Sequence, residues 1–210
     1  MKLTKIFFFF IHSYCFLFAC AFIFSLGINQ NYPIFFDFST ATALAILGVY
    51  NAHRLLKFHQ EKLTREMNDW LSNNLFVVRC LVVLGLVFSC GLFIHLFYLF
   101  SSSIFLLGIT LLLSAFYSGL FSYFILREIP YLKAIFVTIS WFVALVYIPK
   151  SYIHNFQYID FSFLVLFYAL TIPSDLKDIK FDPASFKTTP QVIGSKKSLL
   201  LFNLLMALFL

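Results

Sequence analysis

Three aspartates, Asp175, Asp178 and Asp182, follow the strongly apolar run FSFLVLFYAL and are the residues best suited to chemistry. They are three of only nine acidic residues in the chain. Spacings of three and four residues place their carboxylates on one face of a helix, where like charges would repel one another. A hard divalent cation with oxygen ligands, such as Mg²⁺, would neutralise them while holding a phosphate-bearing substrate. The same spacing also fits a solvated helix end at which Lys177 and Lys180 are the partners.

The residues around these aspartates resemble a known motif. The strings SDLKDIKFD and KTTPQVIG are similar to the second aspartate-rich motif of the UbiA superfamily of intramembrane prenyltransferases, and the likeness includes non-acidic positions. It implies that Asp175, Asp178 and Asp182 are catalytic residues that bind Mg²⁺. It also implies that Lys187 contacts the diphosphate group of a prenyl diphosphate.

The first acidic motif of the superfamily, N-D-x-x-D-x-x-x-D after the second helix, is degraded in this chain, which has VYNAHRLLKFH there. Neither register keeps a carboxylate at the acid positions, which fall on Ala52, Leu55 and His59 or on Tyr50, His53 and Lys57. With Asn51 as the motif asparagine, Arg54 and Lys57 are cations that could meet a diphosphate directly. The alternative is that both are ordinary anchors at a helix end.

A further likeness to the superfamily lies between residues 117 and 133. In the family, a Tyr-Ser pair late in the fourth helix is followed by a basic loop before the fifth. By that likeness Tyr117 and Ser118 line the substrate cavity, and Arg127 or Lys133 lies near the diphosphate.

The composition is that of a protein embedded in a bilayer. It is 61% hydrophobic and 11% charged, whereas soluble globular chains are roughly 45–50% apolar and about 25% charged. Since a transmembrane helix needs roughly 20 apolar residues, we predict an all-α, polytopic bundle of about seven helices. We expect a single membrane domain over residues 1–210. The predicted spans are 6–28, 34–56, 75–99, 103–125, 132–149, 158–173 and a last run from Leu199.

Two local features refine this layout. The first run exceeds the apolar core of a signal peptide, which is about 7–15 residues long, so a retained helix is expected. Leu63, Met67 and Trp70 recur at helical spacing, which predicts a short amphipathic helix at the interface before the third span.

Lysine and arginine indicate the orientation. With the N-terminus in the cytoplasm, every Lys and Arg except Lys150 falls on the cytoplasmic side, as the positive-inside rule requires. Both long polar connections, 54–74 and 174–198, then lie on that side. We therefore predict an integral protein of the cytoplasmic (inner) membrane. The basic residues form no stripe or arginine-rich arm, so nucleic acid is not an expected partner.

The resemblance implies a prenyltransferase that moves a prenyl group from a prenyl diphosphate to an aromatic or other electron-rich lipophilic acceptor. The last apolar run is too short to cross ~30 Å of hydrocarbon. The end of a seventh helix and two further helices of the nine-helix family are therefore expected to be missing. The alternative is a catalytically inactive or decayed UbiA-like membrane scaffold or lipid-binding protein, which the degraded first motif favours.

Overall fold

A computed structural model describes residues 9–29, 34–59, 63, 65–97, 105, 108–109, 129, 132–152, 160–179 and 187–209. Every regular element in this described part is helical, which confirms the all-α prediction. The helices are α1 Cys15–Asn29, α2 Ile34–His59, α3 Arg65–Phe97, α4 Leu132–Phe142, α5 Ile148–Tyr152, α6 Ser162–Asp178, α7 Thr189–Ile193 and α8 Ser195–Phe209. The span predicted at 103–125 lies almost wholly outside the described residues. The chain divides into an N-terminal unit, Met1–Ser101, and a C-terminal unit, Ser102–Leu210.

The N-terminal unit packs α1 and α3 against α2. The Ser25 and Ser39 hydroxyls share a buried hydrogen bond of 2.7 Å, which joins the end of α1 to the start of α2. The rings of Phe38 and Phe93 meet edge to face at 6.1 Å, which joins the start of α2 to the end of α3. Successive helices therefore run antiparallel, as short connections between consecutive helices favour.

Helices α2 and α3 approach most closely where Gly48 faces Gly85. A Cβ atom added to Gly85 would lie 2.9 Å from the backbone nitrogen of Gly48 and 2.9 Å from the carbonyl oxygen of Leu44. Both are backbone atoms, so a larger side chain could be accepted only by moving one helix. Small residues at this crossing let the two backbones come together, as in many packed membrane helices.

Replacing Gly85 with alanine is therefore expected to lower the free energy of unfolding by about 1–3 kcal/mol, because the added methyl group overpacks the crossing. Gly91 on the same helix is the matched control, since a Cβ there meets nothing within 4 Å. Gly91→Ala is expected to be neutral or stabilising, because alanine favours the helix. Thermal unfolding of both variants in detergent would measure the difference. Equal unfolding temperatures would contradict the close crossing.

The prediction of a separate interfacial helix before the third span is wrong. Residues Arg65–Phe97 form one continuous helix of 33 residues. In its polar first turns, the amides of Asn73 and Asn74 donate to the carbonyls of Asp69 and Trp70, each at 2.8 Å. At about 1.5 Å per residue the helix is roughly 50 Å long, longer than the hydrocarbon core of a bilayer.

The C-terminal unit packs α4 and α8 against α6. The rings of Phe142 and Phe161 stack at 5.7 Å, so the end of α4 lies beside the start of α6. The ring of Phe163, near the start of α6, packs against the ring of Phe209 at the end of α8, with 5.5 Å between the ring centroids. Both neighbours of α6 therefore run antiparallel to it. This arrangement places the start of α4 next to the end of α6, where Asp175 and Asp178 lie.

A π-helical turn, Val143–Tyr147, connects α4 to α5. Within it the Ile148 N–H donates to the carbonyl of Val143, five residues earlier. Pro149 follows at once, and proline has no N–H to donate to the carbonyl four residues before it. The wider turn is a usual response to that missing bond. The helical path thus continues from α4 into α5 without a stop.

Two helices in the described part are long and apolar enough to cross a membrane, namely Arg65–Leu96 and Leu132–Lys150. The apolar segment Cys15–Gly27 is shorter. The predicted first span also differs in detail, because a turn at Ser13 and Tyr14 separates residues 9–12 from α1. The last helix begins at Ser195, four residues before the apolar run, since its polar first turn is helical as well.

Candidate functional site

Asp175 forms a buried ion pair in the C-terminal unit. Its Oδ1 atom lies 2.7 Å from the Nζ atom of Lys133, and only 2% and 10% of the two side chains are exposed. Lys133 is in the first turn of α4, and Asp175 is in the last turn of α6. The antiparallel packing of these helices brings the two charges together. The pair is flanked by buried Thr171 and Ile172 on α6.

Such a pair is costly to bury. Removing both ions from water costs several kcal/mol per ion, and mutual attraction repays this only with good geometry. Ion pairs of this kind are therefore weak evidence for a stabilising role, and perturbed or buried charges are candidates for function. An ionisable pair inside an apolar bundle is a functional-site hypothesis by default.

Lys133 changes the interpretation of the three aspartates. The sequence offered Lys177 and Lys180 as cationic partners, but Lys177 is exposed and Lys180 lies outside the described residues. The partner of Asp175 is a lysine on another helix, so this carboxylate does not depend on a divalent cation for its counter-charge. A carboxylate has about four lone-pair sites, however, so the contact through Oδ1 is compatible with a second cation on the same group.

Of the other two predicted metal ligands, the structure describes the backbone of Asp178 but not Asp182. Asp178 is the last residue of α6 and follows Asp175 by three positions, so its backbone lies on the same helix face. Asp182 lies outside the described residues. Among the side chains that the structure describes, no three of His, Cys, Asp or Glu lie close enough to hold one metal ion. The trio with Mg²⁺ therefore stays a prediction.

Lys187 is exposed and has a φ of 46°, in the left-handed region that favours glycine. It directly precedes Thr188, the N-cap residue of the short helix α7, whose N–H donates to Oε1 of Gln191 at 3.0 Å. The Tyr168 and Thr189 hydroxyls bond at 3.2 Å, which ties the start of α7 to α6. The chain thus returns beside the helix that carries Asp175. Tyr117, Ser118 and Arg127 lie outside the described residues.

In the N-terminal unit, Asn51 is fully buried on α2. Its Nδ2 donates to the carbonyl of Ser13 at 2.8 Å and to the carbonyl of Leu47 at 2.9 Å. Because both partners are acceptors, they determine which end of the amide carries the nitrogen. The Oδ1 atom is buried and has no hydrogen-bond partner among the described residues. A buried acceptor is thus left available one turn before Arg54.

Arg54 is 8% exposed. Its guanidinium carbon lies 4.1 Å from the centre of the Tyr14 ring, a cation–π contact. The Tyr14 ring in turn meets the edge of Tyr50 at 5.2 Å. The Nη1 atom of Arg54 is buried without a hydrogen-bond partner in the described part of the chain. We call Ser13, Tyr14, Asn51 and Arg54 the α2 polar cluster. Lys57 lies one turn further, half buried in the last turn of α2.

Sequence reasoning missed two parts of these sites. It placed Lys133 near a diphosphate but not beside Asp175, and it gave Tyr14 no role at all. Lys133 is the first charged residue of its span, and this position was a usable signal for a group at the helix end. Nothing local marks Tyr14, because its partner Arg54 is on another helix.

Comparison of the chain with models of protein families, with curated proteins and with solved structures gives no match. The likeness to the UbiA superfamily therefore depends on the motif residues alone. Any assignment of function has to be argued from those residues and from the geometry around them.

Proposed function

We propose that this protein is an integral membrane prenyltransferase of the UbiA type, which transfers a prenyl group from a prenyl diphosphate to a lipophilic, aromatic acceptor. The observation that supports this most directly is the buried pair of Lys133 and Asp175 at the end of α6. The pair lies at the first aspartate of the acidic motif, one helical turn before Asp178, in a chain that is otherwise mostly apolar.

A location in the cytoplasmic membrane, with the N-terminus inside and about seven spans, is part of the same proposal. Two helices have the necessary length and apolar character. Large apolar side chains along α3 are exposed, among them Phe76, Val83, Val87, Phe88 and Ile94. An apolar surface of this extent on one helix suits contact with lipid tails.

In this proposal the carboxylates of Asp175, Asp178 and Asp182 would hold Mg²⁺, which would supply positive charge to offset the negative charge on the leaving diphosphate. Their oxygen donors are the type that Mg²⁺ prefers. Lys133 holds the Asp175 carboxylate in one orientation through the 2.7 Å contact. The bond from the allylic carbon to the diphosphate oxygen breaks, the acceptor ring bonds to that carbon, and the ring then loses a proton. Water must be excluded while the allylic carbon is cationic.

Each unit has cationic or polar side chains that are proposed, unit by unit, as contacts to phosphate. In the C-terminal unit, Lys187 is exposed and lies two residues before α7. In the N-terminal unit, Arg54 has a buried Nη1 atom without a hydrogen-bond partner among the described residues. Guanidinium groups bind phosphate oxygens through strong, charge-assisted hydrogen bonds. Roles for Asn51, Lys57, Tyr117, Ser118 and Arg127 in binding the diphosphate belong to the same proposal.

Direct binding tests the proposal. Purified protein in detergent micelles is titrated with geranyl, farnesyl and geranylgeranyl diphosphate, with Mg²⁺ or with EDTA. We expect binding with Mg²⁺ that weakens about 10-fold or more without it, because the metal offsets the diphosphate charge. The matching prenyl alcohols carry the same tails and are the control. If no prenyl diphosphate binds in either condition, the proposed function is wrong.

A second candidate is a catalytically inactive UbiA-like scaffold or lipid-binding protein. Two observations favour it: the first motif has no carboxylate, and Lys133 already supplies Asp175 with a counter-charge. Such a protein would bind a prenyl diphosphate without consuming it. Incubation with a radiolabelled prenyl diphosphate and a panel of phenolic and quinol acceptors distinguishes the two, since only the enzyme forms a prenylated product.

A further inference from the structure

Tyr14 adopts a backbone conformation that needs an explanation. Its φ of 58° is in the left-handed region, which is unfavourable for a residue as bulky as tyrosine. Ser13 and Tyr14 form the turn that separates residues 9–12 from α1. Residues held in such conformations persist only where the surrounding structure determines them, and they concentrate at functional sites. The conformation of this turn therefore points to a function for the residues that it contacts.

Both residues of this turn contact the two members of the α2 polar cluster that lie on α2, Asn51 and Arg54. The carbonyl of Ser13 accepts a hydrogen bond from Asn51 at 2.8 Å. The ring of Tyr14 covers the guanidinium of Arg54 at 4.1 Å. Asn51 and Arg54 are three positions apart, so they lie on one face of α2. The turn thus holds two neighbouring polar side chains of a different helix.

The way in which they are held leaves hydrogen-bonding groups available. A cation–π contact engages the positive charge of the guanidinium, and the N–H groups of Arg54 can still donate hydrogen bonds to other acceptors. The amide nitrogen of Asn51 donates to two carbonyls, and these bonds do not involve the Oδ1 atom of the same amide. Arg54 Nη1 and Asn51 Oδ1 are both buried without a hydrogen-bond partner among the described residues. A buried polar atom without a hydrogen-bond partner is unfavourable, and a bound ligand that pairs with it would offset that cost.

We propose that the Ser13–Tyr14 turn completes a phosphate-binding site on α2, in which Tyr14 is a positioning residue for Arg54. The ligand is a phosphate group: an anionic oxygen accepts from Arg54 Nη1, and a protonated oxygen or a bound water donates to Asn51 Oδ1. This inference rests on the proposed function in one respect only: the proposed function makes a prenyl diphosphate the source of the phosphate group. A phospholipid headgroup carries the same chemistry.

The test uses variants that separate the ring from the backbone. Tyr14→Phe keeps the ring and so the contact with Arg54. Tyr14→Asn removes the ring, and asparagine tolerates the left-handed region, so the turn itself is preserved. Each change is also made together with Arg54→Met, a substitution that keeps side-chain length but removes the charge. Thermal unfolding of each variant checks that it is folded.

Binding of farnesyl diphosphate, inorganic diphosphate and short-chain phosphatidylglycerol is then measured in maltoside micelles, which contain no phosphate. We expect Tyr14→Phe to bind within about twofold of the wild type and Tyr14→Asn to bind about 3- to 30-fold more weakly. In the Arg54→Met background, Tyr14→Asn is expected to cause no further loss. That pattern is specific to positioning, because general structural damage would persist in both backgrounds.

The outcomes separate this inference from the proposed function. A Tyr14 effect on farnesyl diphosphate supports both. The same effect on phosphatidylglycerol, with no binding of farnesyl diphosphate, supports the site and overturns the prenyl function. Binding that is unchanged in Tyr14→Asn, or reduced equally with and without Arg54, overturns the role of Tyr14 and leaves the function standing. If no phosphate compound binds to the wild type, both are wrong.

Discussion

Replacing Lys133 with methionine is expected to lower the free energy of unfolding by about 3–5 kcal/mol, because it leaves a buried carboxylate without its ammonium partner. Lys133 Nζ and Asp175 Oδ1 are 2.7 Å apart. Methionine retains most of the apolar stem of lysine, so the change removes the charge more than the packing. The unfolding of purified protein in mixed micelles, followed by circular dichroism, measures the effect.

Two further variants make this result interpretable. The double variant Lys133→Met with Asp175→Leu removes both charges, and it is expected to recover most of the loss, since apolar replacements of buried pairs are often neutral or stabilising. Lys177→Met alters an exposed lysine on α6 and is expected to stay within about 0.5 kcal/mol of the wild type. A single Lys133→Met variant as stable as the wild type would show that the two charges are not coupled.

Replacing Asp178 with asparagine is expected to reduce Mg²⁺-dependent prenyl transfer about 100-fold or more while leaving the unfolding temperature nearly unchanged. Asn keeps the size of the side chain but loses the charge that would hold the cation. Asp178 is a sharper target than Asp175, because Asp175→Asn also breaks the pair with Lys133. Initial rates of product formation over a range of Mg²⁺ concentrations measure the loss.

Asp160 is the matched control for Asp178. It precedes the opposite end of the same helix, is exposed, and accepts a hydrogen bond from the Ser162 N–H at 2.8 Å. Hydrogen bonds from the side chain and backbone of Ser162 lower the pKa of Asp160, so it is ionised at neutral pH, like an ordinary surface aspartate. Asp160→Asn is expected to keep full activity. If both substitutions reduce turnover alike, or neither does, the aspartates after α6 do not bind the metal as proposed.

Much of the helical layout could be read from runs of apolar residues. The run predicted at 34–56 is α2, and the run predicted at 132–149 is α4 with its continuation into α5. Boundaries were less predictable where polar residues extend a helix. Arg65–Asn74 and Ser195–Ser198 are helical because nothing in them stops a helix, whereas hydropathy reports only the apolar part.

For the candidate sites too, relations within one helix could be predicted from the sequence, whereas contacts between helices could not. The spacing of Asp175 and Asp178 was enough to place them on one face, because that relation is local to a single helix. Lys133 was recognisable as a cation at a helix start, but its contact with Asp175 was not. The turn at Tyr14 was missed, since no glycine, proline or asparagine marks it and its reason lies in Arg54 on another helix.

The sequence by itself therefore determined the all-helical class, the apolar character of the helices and the gathering of acids after FSFLVLFYAL. These follow from properties that act between neighbours along the chain. Only the tertiary structure decided that Lys133 neutralises Asp175 and that Tyr14 covers Arg54. Those pairings depend on how far one helix is shifted and rotated against the next, which the packing of side chains between helices sets.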